Sequence, residues 1–453
     1  MAKVRLFLFC LLGMVLIGGV IVGCSQSEDP ISETGSSPPQ TNEQPKDQTS
    51  EQANGESASS TNEYTGGPVE LLIQDRNTGI TEEEFEEYFA KPVKERYPDI
   101  TITLTKETNL EALVTANNAP DLAAISNTVL DFYLDADYPE SLDEMIKQFN
   151  IDLDRFEPSI IEVLHGLGQG EGIFGLPFGM NYGATVYNKD IFDLFGISYP
   201  DDVITWDDFY DLTVLLTRED GGTKYFGGAP VVPVNMLRQK GVTSFDESGD
   251  KAIFTTQGHL ELFSFLQRFY EIPGYVQGEN YLPTAFANGT VAMLPNWIAA
   301  TTNTVSQDLP FDWDIIAFPV YKENPTIGAQ VDFHMLTVSK ATEHKDAAYR
   351  VIEVMISEEV QERISRNRRI TPLKDHAIKM TYAQDSKVYE GKNLQSIFKV
   401  EPAVLPDYSR WASTIRDDLN NVARDIALNN MDVNTALREA EQRANQKIQE
   451  EMK

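Results

Sequence analysis

The sequence predicts an α/β fold built on mostly parallel sheets. Short apolar runs alternate with amphipathic helical segments from Val69 to Ile125, giving a βαβαβ order. The same logic resumes between Gly172 and Val338. No repeat of solenoid period offers a different architecture.

Val69-Glu70-Leu71-Leu72-Ile73 is the first strand, and it breaks at Asp75-Arg76-Asn77-Thr78-Gly79. An acidic helix follows. Thr81 is placed to cap it, Glu82, Glu83 and Glu84 fill the turn that the helix dipole favours, and Phe85, Tyr88 and Phe89 form its apolar stripe. Tyr97-Pro98-Asp99 stops it, and Ile100 to Leu104 alternates as a second strand. A helix from Asn109 to Asn117 ends before Pro120, and Asp121 to Ile125 reads as a third, buried strand. Sheets of this kind hold ligands beyond the carboxyl ends of their strands, so 75–77 and 126–128 lie where a ligand is expected.

Further along, Gly183 to Asn188 reads as a strand, and Ile191 to Phe195 as a short helix ending at Gly196. Thr205-Trp206-Asp207-Asp208-Phe209 opens a helix with an N-cap and early acids. Val291 to Leu294 and Met335 to Val338 are buried strands, Lys345 to Arg363 is amphipathic and helical, and Met431 to Lys453 is a terminal helix.

The chain of 453 residues is long enough for two or three domains, or for one large two-lobed unit. Its 70 acidic against 37 basic residues give a net charge of −33, which argues against nucleic acid and against docking on anionic lipid through a basic patch. The two cysteines, Cys10 and Cys24, both precede the folded part, which excludes a disulfide scaffold, thiolate metal sites and a Cys nucleophile.

Lys3 and Arg5 precede an apolar stretch from Leu6 to Val22, the form of a secretory signal over residues 1–23. A retained single-pass anchor is the rival reading. Ile21-Val22-Gly23-Cys24 resembles a bacterial lipobox, which implies cleavage before Cys24 and lipidation of that residue. Residues 24–66, rich in Ser, Thr, Gln, Asn, Glu and Pro, are too polar to fold alone. They are expected to form a disordered tether with a span of roughly 35 Å.

Enzyme signatures are missing. There is no His-Glu-x-x-His, no Gly-x-Ser-x-Gly and no phosphate-cradling Gly-x-x-x-x-Gly-Lys. The glycine-rich run Gly166 to Gly172 breaks the dinucleotide pattern at Glu171, and the five histidines lack metal-ligand spacing. No catalytic residue, metal or cofactor is expected.

Five segments in order carry a family resemblance over nearly the whole chain. They are Gly175-Leu176-Pro177 with Tyr187-Asn188-Lys189-Asp190 and Phe195-Gly196-Ile197; Pro200 with Thr205-Trp206-Asp207-Asp208-Phe209; Phe286 to Met293; Asn296-Trp297; and Ser339-Lys340 through Asp346-Ala347-Ala348 to Ser357-Glu358. Together they resemble the extracellular solute-binding proteins, family 1, of ABC importers, in the carbohydrate-binding branch that contains maltose-binding protein. The lipobox and tether are similar to those of Gram-positive members. The resemblance implies a periplasmic-binding-protein-like fold, with two α/β lobes joined by three chain crossings. The crossings are expected near Met180–Gly183, Val331–Met335 and Thr371–Lys374. One lobe would comprise 67–182 and 335–372, the other 183–334 and 373–453.

Sugars present apolar faces and a rim of hydroxyls, so aromatic rings and Asp, Asn, Arg and His side chains suit them. Matched onto the family, Trp297 is a stacking residue beside Asn296, although a core indole fits the same pattern. Trp411, beside Arg410, is a second stacking candidate, with helix packing as the competing reading. Asp75, Arg76 and Asn77 match the first ligand loop, and Asn127 the second. Asn181 and Tyr182 lie at the first crossing, where relatives place a carboxylate. Asp332 and His334 flank the second crossing, and Arg368 and Arg369 lie near the third, placed either to meet an anionic ligand or to cap a helix.

The expectation is therefore a monomeric receptor, tethered by lipid to the outer face of a cell membrane. It captures a sugar, most simply an oligosaccharide, and hands it to ABC permease subunits without catalysis. Binding of a peptide or polyamine, docking on a sensor, or action on a polysaccharide are the competing functions.

Overall fold

The computed structural model describes residues 64–115, 119–229, 232–276, 286–305, 309–367 and 369–453. The signal, Cys24, most of the tether and Arg368 lie outside them.

Twelve strands appear among the described residues, in chain order: β1 (Val69–Arg76), β2 (Ile100–Thr105), β3 (Leu122–Ser126), β4 (Leu176–Met180), β5 (Gly183–Asn188), β6 (Arg218–Asp220), β7 (Thr223–Gly228), β8 (Val291–Trp297), β9 (Trp313–Ala317), β10 (Ile327–Gln330), β11 (Phe333–Val338) and β12 (Glu401–Ala403). They build two five-stranded sheets, ordered β2-β1-β3-β11-β4 and β6-β7-β8-β5-β9, and a small β10-β12 pair. This is a periplasmic-binding-protein-like α/β fold of two lobes.

The βαβαβ order places β2, β1 and β3 parallel, with Val69 opposite Ile100 and Ile73 opposite Leu122. Strand β11 returns from the other lobe and so runs antiparallel to both β3 and β4. In the second sheet β7 and β8 are parallel, while β5 is antiparallel to β8 and β9. The apolar runs named from sequence are the buried strands: Leu71, Ile73, Leu122, Ala124, Val291 and Met293 have no exposure.

Local chemistry sets the helix ends. The Thr81 hydroxyl accepts from the Glu84 amide and the Glu84 carboxylate accepts from the Thr81 amide, a capping box; Thr205 and Asp208 form a second. Gly196, at φ +65°, closes the helix Lys189–Phe195 in the left-handed region. The amphipathic stretch expected from Lys345 to Arg363 is two helices, Lys345–Met355 and Glu358–Ser365, because Ser357 adopts an extended conformation between them. The terminal helix runs Val433–Glu451 from an Asp432 cap. No helix among the described residues is long and apolar enough to cross a membrane.

The lobes are joined at Asn181–Tyr182, between β4 and β5, and at Val331–Asp332, between β10 and β11. The third passage lies later than the sequence predicts. Ile370 accepts from the Met180 amide, Pro372 from the Glu157 amide, and Lys374 donates to Arg155, so 370–374 is bonded to the first lobe. Contact with the second sheet begins where the Tyr389 ring meets Trp313 edge-on at 6.0 Å, followed by Lys392 donating to the Trp313 carbonyl and the Asn393 amide to Asp314. Those main-chain bridges hold the chain to the first lobe beyond Lys374.

Candidate functional site

The carboxyl ends of β1 and β3 face the second lobe across a cavity of about 760 Å³. The loop after β1 forms its first wall. The Asp75 carboxylate accepts from the Thr78 hydroxyl at 2.5 Å and the Thr78 amide at 3.3 Å, which bends the chain. Asn77 and Gly79 sit in the left-handed region, both at φ +67°. The turn presents Asn77, Thr78 and Ile80 to the cavity, and Ser126 and Thr128 do the same after β3.

Arg369 buttresses this loop from behind. Its guanidinium pairs with the buried Glu84 carboxylate, donates to the Thr78 carbonyl at 3.1 Å and contacts His334 Nδ1. A guanidinium only donates, so Nδ1 accepts and the ring proton is assigned to Nε2. Burial, and then the charge of Arg369, hold the His334 pKa well below its ordinary value. His334 therefore meets the cavity as a neutral ring.

The two crossing segments make the floor. Asn181 Nδ2 donates to Asp332 Oδ2 at 2.8 Å, and the Asn181 amide donates to the Asp332 carbonyl at 2.9 Å. Asn181 Oδ1 accepts from the Ala299 amide at 3.1 Å, and the Ser126 hydroxyl donates to Asp332 Oδ1 at 3.0 Å. Burial pushes the Asp332 carboxyl up to about 6, against the pull of its hydrogen bonds to Asn181 and Ser126 and the charge of Arg238. Gln330 lies alongside, and its buried Oε1 has no hydrogen-bond partner in the described structure.

The second lobe supplies the opposite wall. Trp297, at the carboxyl end of β8, is half-buried and reaches the cavity. The helix Ile298–Val305 adds Ala299 and Asn303, Pro233–Gln239 adds Asn235 and Arg238, and Ala412–Asn429 adds Arg416 and Asn420. This wall combines one indole and small apolar residues with the amides of Asn235, Asn303 and Asn420 and two guanidiniums, and the hydroxyls of Thr78, Ser126 and Thr128 face it from the first lobe, a mixture that suits a polyhydroxylated solute.

Of the residues singled out from sequence, Asp75, Asn77, Asn181, Trp297, Asp332 and His334 line this one cavity. Arg76, Asn127, Tyr182, Asn296, Arg369, Arg410 and Trp411 do not, and Arg368 lies outside the described residues. Arg76 donates to the Thr108 carbonyl and lies over the Phe132 ring at 3.9 Å. Asn127 is buried and accepts from the Phe333 amide, holding the start of β11. Tyr182 is buried edge-on against Phe398, because neighbouring residues at the crossing point to opposite sides and Asn181 takes the cavity side. Asn296 is excluded by the same alternation beside Trp297; its Oδ1 accepts from the Trp297 amide. Trp411 is a core residue whose indole donates to Asp250 at 2.9 Å, and exposed Arg410 covers its ring. Arg238, Arg416, Asn420 and Gln330 are cavity residues that no sequence motif marks.

The chain is thus a two-lobed α/β protein with a cleft between its lobes. Residues 78–362 match the family described as bacterial extracellular solute-binding protein, more than half of the chain. The chain belongs to the bacterial extracellular solute-binding proteins.

Solved structures of such solute-binding proteins share the fold. An ABC substrate-binding protein of Listeria monocytogenes in complex with cycloalternan is 21% identical, with 84% of this chain and 98% of that chain covered and a TM-score of 0.67. The sugar-binding protein MalE of Xanthomonas citri is 17% identical, with 85% and 98% covered and a TM-score of 0.67. UgpB of Mycobacterium tuberculosis in complex with glycerophosphocholine is 13% identical, with 85% and 100% covered and a TM-score of 0.65.

Proposed function

We propose that this solute-binding protein captures a sugar, an oligosaccharide, in the cleft between its lobes and delivers it to the permease of an ABC importer. The observation that carries the reading is the wall itself. Trp297 offers a ring for an apolar sugar face, while Asn77, Thr78, Asn181, Asn235 and Gln330 offer donors and acceptors from both lobes. Contacts from both sides favour a closed state when the ligand is bound, so binding shifts a hinge equilibrium and no bond is made or broken. The cavity falls in the upper part of the range for small-molecule sites. The sugars bound to or named for the Listeria and Xanthomonas relatives support the sugar reading.

The proposal extends to the N-terminus. Residues 1–23 would direct export, and 24–66 would tether a monomeric head through lipid on Cys24 to the outer face of a Gram-positive cell membrane.

A thermal-shift screen of the full chain tests the function. The panel holds mono- and oligosaccharides, peptides, polyamines and glycerophosphocholine, the last because a relative binds it. A ligand at one hundred times its Kd adds about 2.7 kcal/mol, enough to raise Tm by several degrees. A shift with saccharides alone supports the proposal. A shift confined to peptides, amines or glycerophosphocholine overturns it.

A further inference from the structure

Arg238 stands in the cleft wall. Its guanidinium makes no hydrogen bond and no ion pair within the described structure, although the residue is half-buried and lines the cavity. Burial is the largest influence on it and pulls its pKa below the ordinary arginine value. A half-buried cation in this state is costly unless something charged arrives to meet it.

The nearby carboxylates do not fill that role: within the described structure none of them makes a hydrogen bond or ion pair to Arg238, and each accepts from other groups. Asp407 accepts from the Thr243 hydroxyl and the Ser244 amide, both at 2.9 Å. Asp131 accepts from the Phe132 amide at 2.8 Å and the Ser413 hydroxyl at 3.0 Å. Asp332 accepts from Ser126 and Asn181.

A second guanidinium faces the same space. Arg416 lines the cavity, and within the described structure its guanidinium donates only a long hydrogen bond, 3.4 Å, to the Ser413 hydroxyl on its own helix. Arg238 and Arg416 line the same cavity from two helices of the second lobe, and the like charge of Arg416 adds to burial in lowering the Arg238 pKa. With Lys106, the cavity lining holds three cations against the carboxylates of Asp75 and Asp332. That local balance opposes the chain as a whole, with its net charge of −33.

We propose that the solute is an anionic saccharide, and that its carboxylate or phosphate sits between Arg238 and Arg416. The inference rests on the sugar reading of the cleft and narrows its substrate class. Planar guanidinium forks match either anion through paired hydrogen bonds, and the neutral polar groups opposite serve the remaining hydroxyls.

The test is calorimetric titration of the full chain at low salt with trigalacturonate, glucose 6-phosphate, maltotriose and citrate. Arg238→Gln and Arg416→Gln are compared with the unaltered chain, after their melting curves establish that each variant folds. The expected result is that trigalacturonate or glucose 6-phosphate binds more tightly than maltotriose and loses about 10- to 100-fold in affinity in either variant. Which of the two binds separates a uronate from a sugar phosphate. Added salt should weaken that binding. Maltotriose binding as tightly as either acidic sugar, with both variants unaffected, overturns the anion assignment and leaves the sugar reading standing. Citrate binding that depends on both arginines, with no saccharide bound, keeps the anion clamp and overturns the sugar reading. Acidic sugar binding that neither substitution alters overturns the assignment of these two arginines.

Discussion

Asn181 and Asp332 tie two of the interlobe crossings together, side chain to side chain at 2.8 Å and main chain to main chain at 2.9 Å. The amide is a donor where a carboxylate would be a second acceptor. In Asn181→Asp two carboxylates would face each other in a buried site, and one must take up a proton. The variant should lose about 3 kcal/mol at pH 7 and much less at pH 5. Urea unfolding at the two pH values measures this; equal losses at both would sink the argument.

Asp332 itself titrates out of range. Its carboxyl is raised from 3.8 to about 6, so the folded state holds a proton that the unfolded chain releases. Stability from this group is fully present below about pH 4, is lost as pH rises through about 6, and is flat above that. The loss is on the order of 2–3 kcal/mol. Denaturation curves of Asp332→Asn should lack this slope when set against the unaltered chain. An unchanged slope would place the titration elsewhere.

Arg369 and Glu84 form a buried pair that also fixes the Thr78 carbonyl and the His334 ring. Arg369→Met leaves a carboxylate buried without its partner, which should cost about 3–5 kcal/mol. Removing both charges, with Glu84→Gln added, should cost less than the two single changes summed. A double-mutant cycle on Tm decides it, and strict additivity would contradict the coupling.

Trp297 is half-buried at a strand end, so its loss should harm binding more than folding. Trp297→Ala is expected to weaken the preferred saccharide by about tenfold or more, with a melting curve close to the original. Calorimetry on that saccharide checks it; an unchanged Kd would remove the indole from the ligand contact.

Gly183 begins β5 at the first crossing, where a side chain has no room. A Cβ there would fall 2.5 Å from the Ala329 Cβ and 2.7 Å from the Phe318 ring. Gly183→Ala should therefore destabilise by about 1–3 kcal/mol through overpacking. Chemical denaturation reads the change, and a neutral substitution would mean that the hinge relaxes freely.

What the sequence determined by itself is local. Apolar runs and alternation placed β1, β2, β3, β5, β8 and β11, because burial on a pleated sheet leaves a period that can be read directly. Thr81 with Glu84, and Thr205 with Asp208, announced helix starts, since a cap depends on atoms three residues apart. The ordered family segments brought in the two-lobed fold. Tertiary structure alone decided which residue of each pair meets the cleft. Trp297 does and Asn296 does not; Asn181 does and Tyr182 does not. Period-2 alternation separates two faces without saying which one meets the other lobe. Trp411 reads like Trp297 in sequence, yet its indole finds Asp250 inside the second lobe. Arg238 and Arg416 carry no motif at all, because their meaning comes from the carboxylates that fail to reach them, a fact set by helices brought together from distant parts of the chain.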